Sequence, residues 1–180
     1  MSIVLLDEIV VGSEIDKVVF GPSGDGSQNP TLDGEHYMIK GTLLRGSGGG
    51  AMNRVEILPN STLISGNGAG GLADWDNAGA PAALTTHTQF RASDQIAQAA
   101  PVPMNFEFEF VALAGVQRQV MAKSWQNDRV AAYHSIWRSG NSWEDTATAI
   151  VSFEIRLNGA PANGLGVGSR FSLYEVIRTP

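Results

Sequence analysis

Between Phe106 and Phe110 the chain alternates strictly, Phe106, Phe108 and Phe110 being interleaved with Glu107 and Glu109. Successive side chains of a β-strand point to opposite faces, so this pattern sends three rings into a core and two carboxylates into water. A helix would scatter the same rings around its circumference. The same period of two runs from Ala147 to Leu157, where Ala149, Val151, Phe153, Ile155 and Leu157 share a face, and it predicts a second long strand. Weaker alternation marks Ile15 to Phe20, Tyr37 to Leu44, Ala51 to Ile57, Gln117 to Trp125, Val130 to Arg138 and Arg170 to Ile177. The opening Ile3 to Val11 is rich in β-branched residues. About nine strands are expected.

Between them lie Gly21 to Gly34, Gly46 to Gly50, Gly66 to Gly71 and Asn158 to Gly168. Their Gly, Pro, Asn and Asp supply the backbone angles that turns require, so all four are expected to be loops. The only helical candidate is Ser93 to Ala100, with Ser93 as N-cap and Pro101 as terminator. The 180 residues show no repeat, no coiled-coil heptads and no linker, which suits one domain over 1–180. Regularly spaced strands with at most one short helix predict an all-β fold, an antiparallel two-sheet β-sandwich of jelly-roll type. An up-and-down barrel is the alternative.

Twelve basic against eighteen acidic residues leave a net charge of −6, which speaks against nucleic acid or an anionic membrane as partner. The chain has no cysteine, so disulfides, thiolate nucleophiles and cysteine-ligated metals are excluded. Met1 to Val11 carries Asp7 and Glu8 but no early Lys or Arg, so no export signal is expected. No apolar run approaches the ~20 residues of a membrane helix.

Gly66, Gly68 and Gly71 satisfy G-x-G-x-x-G, but the residues after Gly71 lack the helical period a dinucleotide site needs, and no cofactor is expected. Asp74, Asp76 and Asn77 crowd oxygen ligands of the kind calcium takes, although Thr85 stands where an EF-hand would carry its last acid. His36, His87 and His134 are too widely spaced for a zinc pair on one element. Ser23 and Ser47 lack a nucleophile elbow, and no catalytic residues are assigned. Glu107 and Glu109 share one strand face, whereas a glycosidase needs two acids flanking its sugar. Among the aromatics Trp75, Trp125, Tyr133, Trp137 and Trp143 fall near strand or loop ends, where indole faces can stack on sugars. Trp143, after Ser139-Gly140-Asn141-Ser142, is expected at an exposed loop tip. Asn60-Ser61-Thr62 matches a glycosylation sequon, taken as chance without an export signal.

The segment Gly168-Ser169-Arg170-Phe171-Ser172-Leu173-Tyr174 resembles the Gly-Ser/Thr-Arg-hydrophobic-x-Leu-Tyr ending of many tailed-bacteriophage virion proteins. The order of the earlier strands Ile15 to Phe20 and Tyr37 to Leu44 is similar too. The resemblance implies a small jelly-roll module of a tail fibre, baseplate or head decoration. It further implies a homo-oligomer, a trimer above all, that contacts other virion proteins and often a host-surface glycan. The family has no common catalytic residues to carry over. Glu175-Val176-Ile177 departs from the commonest ending, in which Gly or Arg follows the Tyr. The first expectation is therefore a non-enzymatic virion structural protein. The alternative is a carbohydrate-binding module that recognises a cell-surface glycan through Trp143, Trp75 and Trp137.

Overall fold

The computed structural model describes residues 1–49, 54–61, 69–75, 85–86, 90–93, 102–113, 115–128, 133–143 and 146–177. Of these, 69–75, 85–86, 91, 127–128, 133–137 and 141 are described by backbone pairing. The strands are β1 (Ser2–Val10), β2 (Lys17–Phe20), β3 (His36–Leu43), β4 (Val55–Pro59), β5 (Ala69–Trp75) and β6 (Thr85–Thr86), followed by β7 (Phe90–Arg91), β8 (Met104–Val111), β9 (Arg118–Asp128), β10 (Tyr133–Trp143), β11 (Phe153–Leu157) and β12 (Arg170–Ile177). No helix occurs among the described residues.

Every pairing is antiparallel. One sheet runs β1-β12-β3-β8-β9-β10-β5-β6 and the other β2-β11-β4-β7. Half of the first, β1-β12-β3-β8, interleaves in chain order with the whole of the second, and that interleaving is the jelly roll. The β9–β10 hairpin, inserted between β8 and β11, then continues the larger sheet, with β5 and β6 beyond it.

Alternating positions of both sheets meet in one core. Phe106, Phe108 and Phe110 of β8 are fully buried, with Glu107 and Glu109 between them on the opposite face, as the alternation predicts. Across the sandwich Phe153 meets Tyr37 and Phe110 edge-on, each at 5.5 Å between ring centres, and Phe90 meets Phe108 and Phe110. Gly41 of β3 leaves the space those rings need: a Cβ there would lie 2.3 Å from Phe106 Cε1 and 2.9 Å from Phe171 Cδ1.

Three expectations are corrected. The long strand from Ala147 begins only at Phe153, because the Asn60 side chain seizes the segment before it: its Nδ2 donates to the Ala149 carbonyl, and its Oδ1 accepts from the Val151 and Ser152 amides. Val151, assigned to a core face, is 53% exposed. The loop expected over Gly66 to Gly71 gives way at Ala69 to β5, whose pairing with β10 overrides the low strand preference of glycine. Trp143 ends β10 rather than sitting at a loop tip. Of the expected helix only Ser93 is described; it is buried and its Oγ accepts the Val55 amide, while 94–100 lie outside the described residues.

Candidate functional site

The eight-stranded sheet turns one face towards the core and the other away from it. The pairing aligns Ser172, Lys40, Glu107, Lys123 and Arg138 in one row across β12, β3, β8, β9 and β10. Glu107 sits between two cations, 2.7 Å from Lys123 Nζ and 3.7 Å from Lys40 Nζ. The row on one side aligns Tyr174, Met38, Glu109 and Met121, and the row on the other Arg170, Thr42, Asn105, Trp125, Ile136 and Trp75. Trp125 is 40% exposed and Met121 more so. An open hollow of about 370 Å³ on this face is lined by Glu107, Glu109, Met121, Lys123, Arg138 and Ser139. Exposed ion pairs of this kind add little to stability, so the row gives the face mixed charge more than rigidity.

A second hollow, of about 340 Å³, opens where β3 begins and β8 and β12 end, between Asp33, Glu35, His36, Leu113, Glu175 and Val176. His36 Nε2 lies 3.8 Å from Glu109 Oε2. Beside it the buried Tyr37 hydroxyl accepts the Gly34 amide. Burial, with the charges of Glu175 and Asp33, pushes the Tyr37 phenol up to about 12 against the opposing Gly34 hydrogen bond. The unfolded chain would ionise Tyr37 near 10 while the folded chain holds it neutral. Its stabilising contribution is therefore complete below pH 10 and is lost as pH rises from 10 towards 12. Tyr37→Phe is expected to flatten that alkaline loss, on the order of 2–3 kcal/mol, in urea titrations across this range.

On the face of the smaller sheet turned away from the core, Glu154 and Glu56 are buried. Arg156 bridges them, Nη1 to Glu154 Oε1 at 3.3 Å and Nε to Glu56 Oε2 at 3.4 Å, and Lys17 reaches Glu154 at 3.0 Å. Buried carboxylates tied to cations in this way clamp β2, β11 and β4 together.

The tryptophans singled out in the sequence fall in different register rows. Trp143 is half-buried against the core, edge-on to Phe90 at 6.3 Å, with the Arg118 guanidinium 4.9 Å over its ring. Trp75 pairs with Ile136 in the row of Trp125, whereas Trp137 pairs with Ser124 and Asp74 in the row of Phe106. Asp74 lies in β5, while Asp76 and Asn77 lie outside the described residues. Among the described residues no three His, Asp or Glu side chains gather where they could hold a metal. Of the aromatics named in the sequence, Trp125 presents an exposed indole, and its place follows from strict alternation along β9: Arg118, Val120, Ala122, Ser124 and Gln126 buried, the residues between them exposed. The Asn60 amide nitrogen of the sequon is already engaged with Ala149.

No protein-family model, no curated protein and no solved structure matches this chain. The class the strand order defines is a jelly-roll β-sandwich with one widened sheet.

Proposed function

We propose that this chain is a non-enzymatic structural protein of a bacteriophage virion, a capsid decoration or a tail or fibre component, which assembles as a homo-oligomer and docks on other virion proteins. The observation that carries the reading is the structural use of the segment on which the resemblance rests. Gly168 adopts a positive φ of 87°, and the buried Ser169 hydroxyl accepts the Leu44 amide and lies 2.7 Å from the Gly166 carbonyl. Phe171 and Leu173 then enter the core as β12 passes between β1 and β3. The segment thus closes the jelly roll. The ion pairing of Glu56, Glu107 and Glu154 suits a structural role for those carboxylates. Quantitative mass spectrometry of purified particles, normalised to the major capsid protein, tests the proposal. Hundreds of copies would indicate a decoration, fewer a tail, fibre or neck component, and a protein missing from particles would refute it.

The exposed indole of Trp125, one register row from Glu107 and Lys123 on the same face, favours one second reading, a carbohydrate-recognition module. On that reading a cell-surface glycan quenches tryptophan fluorescence, and Trp125→Ala abolishes most of the change without altering the melting curve. Equal quenching in both proteins would remove Trp125 from the site.

A further inference from the structure

One edge of the eight-stranded sheet is β1, and its first half is built unlike an edge exposed to water. Edge strands are normally blunted by charge, by proline or by a cover, because their unpaired backbone groups invite another strand. Ser2 to Leu6 carries no charge and no proline. Ile3 and Leu5, in the register rows of Val176 and Tyr174, are 51% and 54% exposed. Val4, in the row of Glu175 and so on the opposite face, is 42% exposed. A body docking on one face of the sheet would leave the other face of this strand wet. An added strand covers both at once, since its own side chains alternate between the same two faces.

We propose that β1 pairs antiparallel with β1 of a second copy of this chain, across a two-fold axis normal to the sheet at Val4. The contact rests on the homo-oligomer reading above, in that the partner is another copy. The edges available in the described residues select β1 itself. The outermost strands β6 and β7 span two residues each, and β2 spans four and opens on the exposed Lys17. Only β1, with nine residues, offers a long edge with apolar side chains on both faces. Centring on Val4 keeps each face continuous across the junction: Val4 meets Val4 of the copy and Ile3 meets its Leu5. The charges select the direction. Antiparallel pairing sends Asp7 and Glu8 of the two copies to opposite ends of the ladder, whereas a parallel pair would stack like charges side by side. The irregularity between Leu5 and Asp7 ends the regular stretch where the acids begin. Such a contact is isologous and closes as a dimer instead of growing into a filament.

Sedimentation of the whole chain tests this, with Val4→Lys and, as a control at an exposed position in a turn away from β1's first half, Val167→Lys. The expected result is a species of twice 19.1 kDa for the unaltered chain and the control. For Val4→Lys, association weakens on the order of a hundredfold, with unchanged circular dichroism, because a lysine would be buried in the ladder. The cysteine-free chain allows a second probe. Directly opposed Cβ atoms in an antiparallel pair lie about 4.5–5.5 Å apart, close enough for Val4→Cys to oxidise to a covalent dimer while Val167→Cys does not. A monomer throughout, a trimer, or a dimer that survives Val4→Lys and leaves Val4→Cys uncoupled would each overturn the two-fold contact. The last two would leave the homo-oligomer standing, and the particle measurement decides the virion reading separately.

Discussion

Phe110→Ala is expected to lower the unfolding free energy by about 3–5 kcal/mol, the range of the costliest single truncations in a packed core. The ring is fully buried and has three aromatic neighbours: Phe108 stacked beside it on its own strand, Phe90 edge-on and Phe153 edge-on. Phe90 and Phe153 belong to the smaller sheet, so the ring joins the two layers, and alanine would leave a void that neither layer can fill alone. For a chain of this size the loss corresponds to a fall in melting temperature of roughly 6–20 °C. Chemical denaturation monitored by tryptophan fluorescence measures it directly. The exposed Val151→Ala is the contrast, expected within about 0.5 kcal/mol of the unaltered chain. A Phe110→Ala loss as small as that would show that the layers do not meet at this ring.

Asp7→Ala is the second large effect, about 2–4 kcal/mol, by a different mechanism. This carboxylate sits in the middle of an edge strand yet is buried. Its Oδ1 accepts the amides of Glu8, Ser27 and Gln28, and its Oδ2 accepts that of Asn29. One side chain thereby ties the loop between β2 and β3 to β1, and Gly26 makes the approach possible, because a Cβ there would collide with the carboxylate. Alanine would leave the loop amides without their acceptor. Asp7→Asn keeps one oxygen and is expected to lose less, since the amide nitrogen that replaces Oδ2 cannot accept from Asn29. Urea denaturation of the three proteins, together with amide exchange at Ser27 to Asn29, separates these cases. Unchanged exchange in Asp7→Ala would refute the tether.

The segments that read most clearly in the sequence are those whose alternation coincides with a covered face. Met104–Val111 was legible because it buries alternate side chains against the opposite sheet, and Arg170–Ile177 because Phe171 and Leu173 enter the core. Alternation misled at Ala149 and Val151, where the pattern continues but the backbone is held by Asn60, a residue some ninety positions away in the chain. It also gave no warning of β5, where Gly70 and Gly71 pair with Asn141 and Gly140 because a neighbouring strand supplies the ladder. The tryptophans show the same limit. Their number and spacing are written in the chain, but only the register decides that Trp75 joins the row of Trp125, that Trp137 joins the row of Phe106 and that Trp143 rests on Phe90.

By itself the sequence determined an all-β fold, because period-two burial and closely spaced turns call for antiparallel strands with one covered face, while the pairing of the strands decided for a two-sheet sandwich over a barrel. Tertiary structure alone decided the order β1-β12-β3-β8 against β2-β11-β4-β7, the widening of one sheet by β9 and β10, and the exposure of β1 at its edge. The physical reason is that alternation specifies which residues of a strand are buried but says nothing about which strand lies beside it. Neighbours, edges and shared faces come from pairings between residues far apart in the chain.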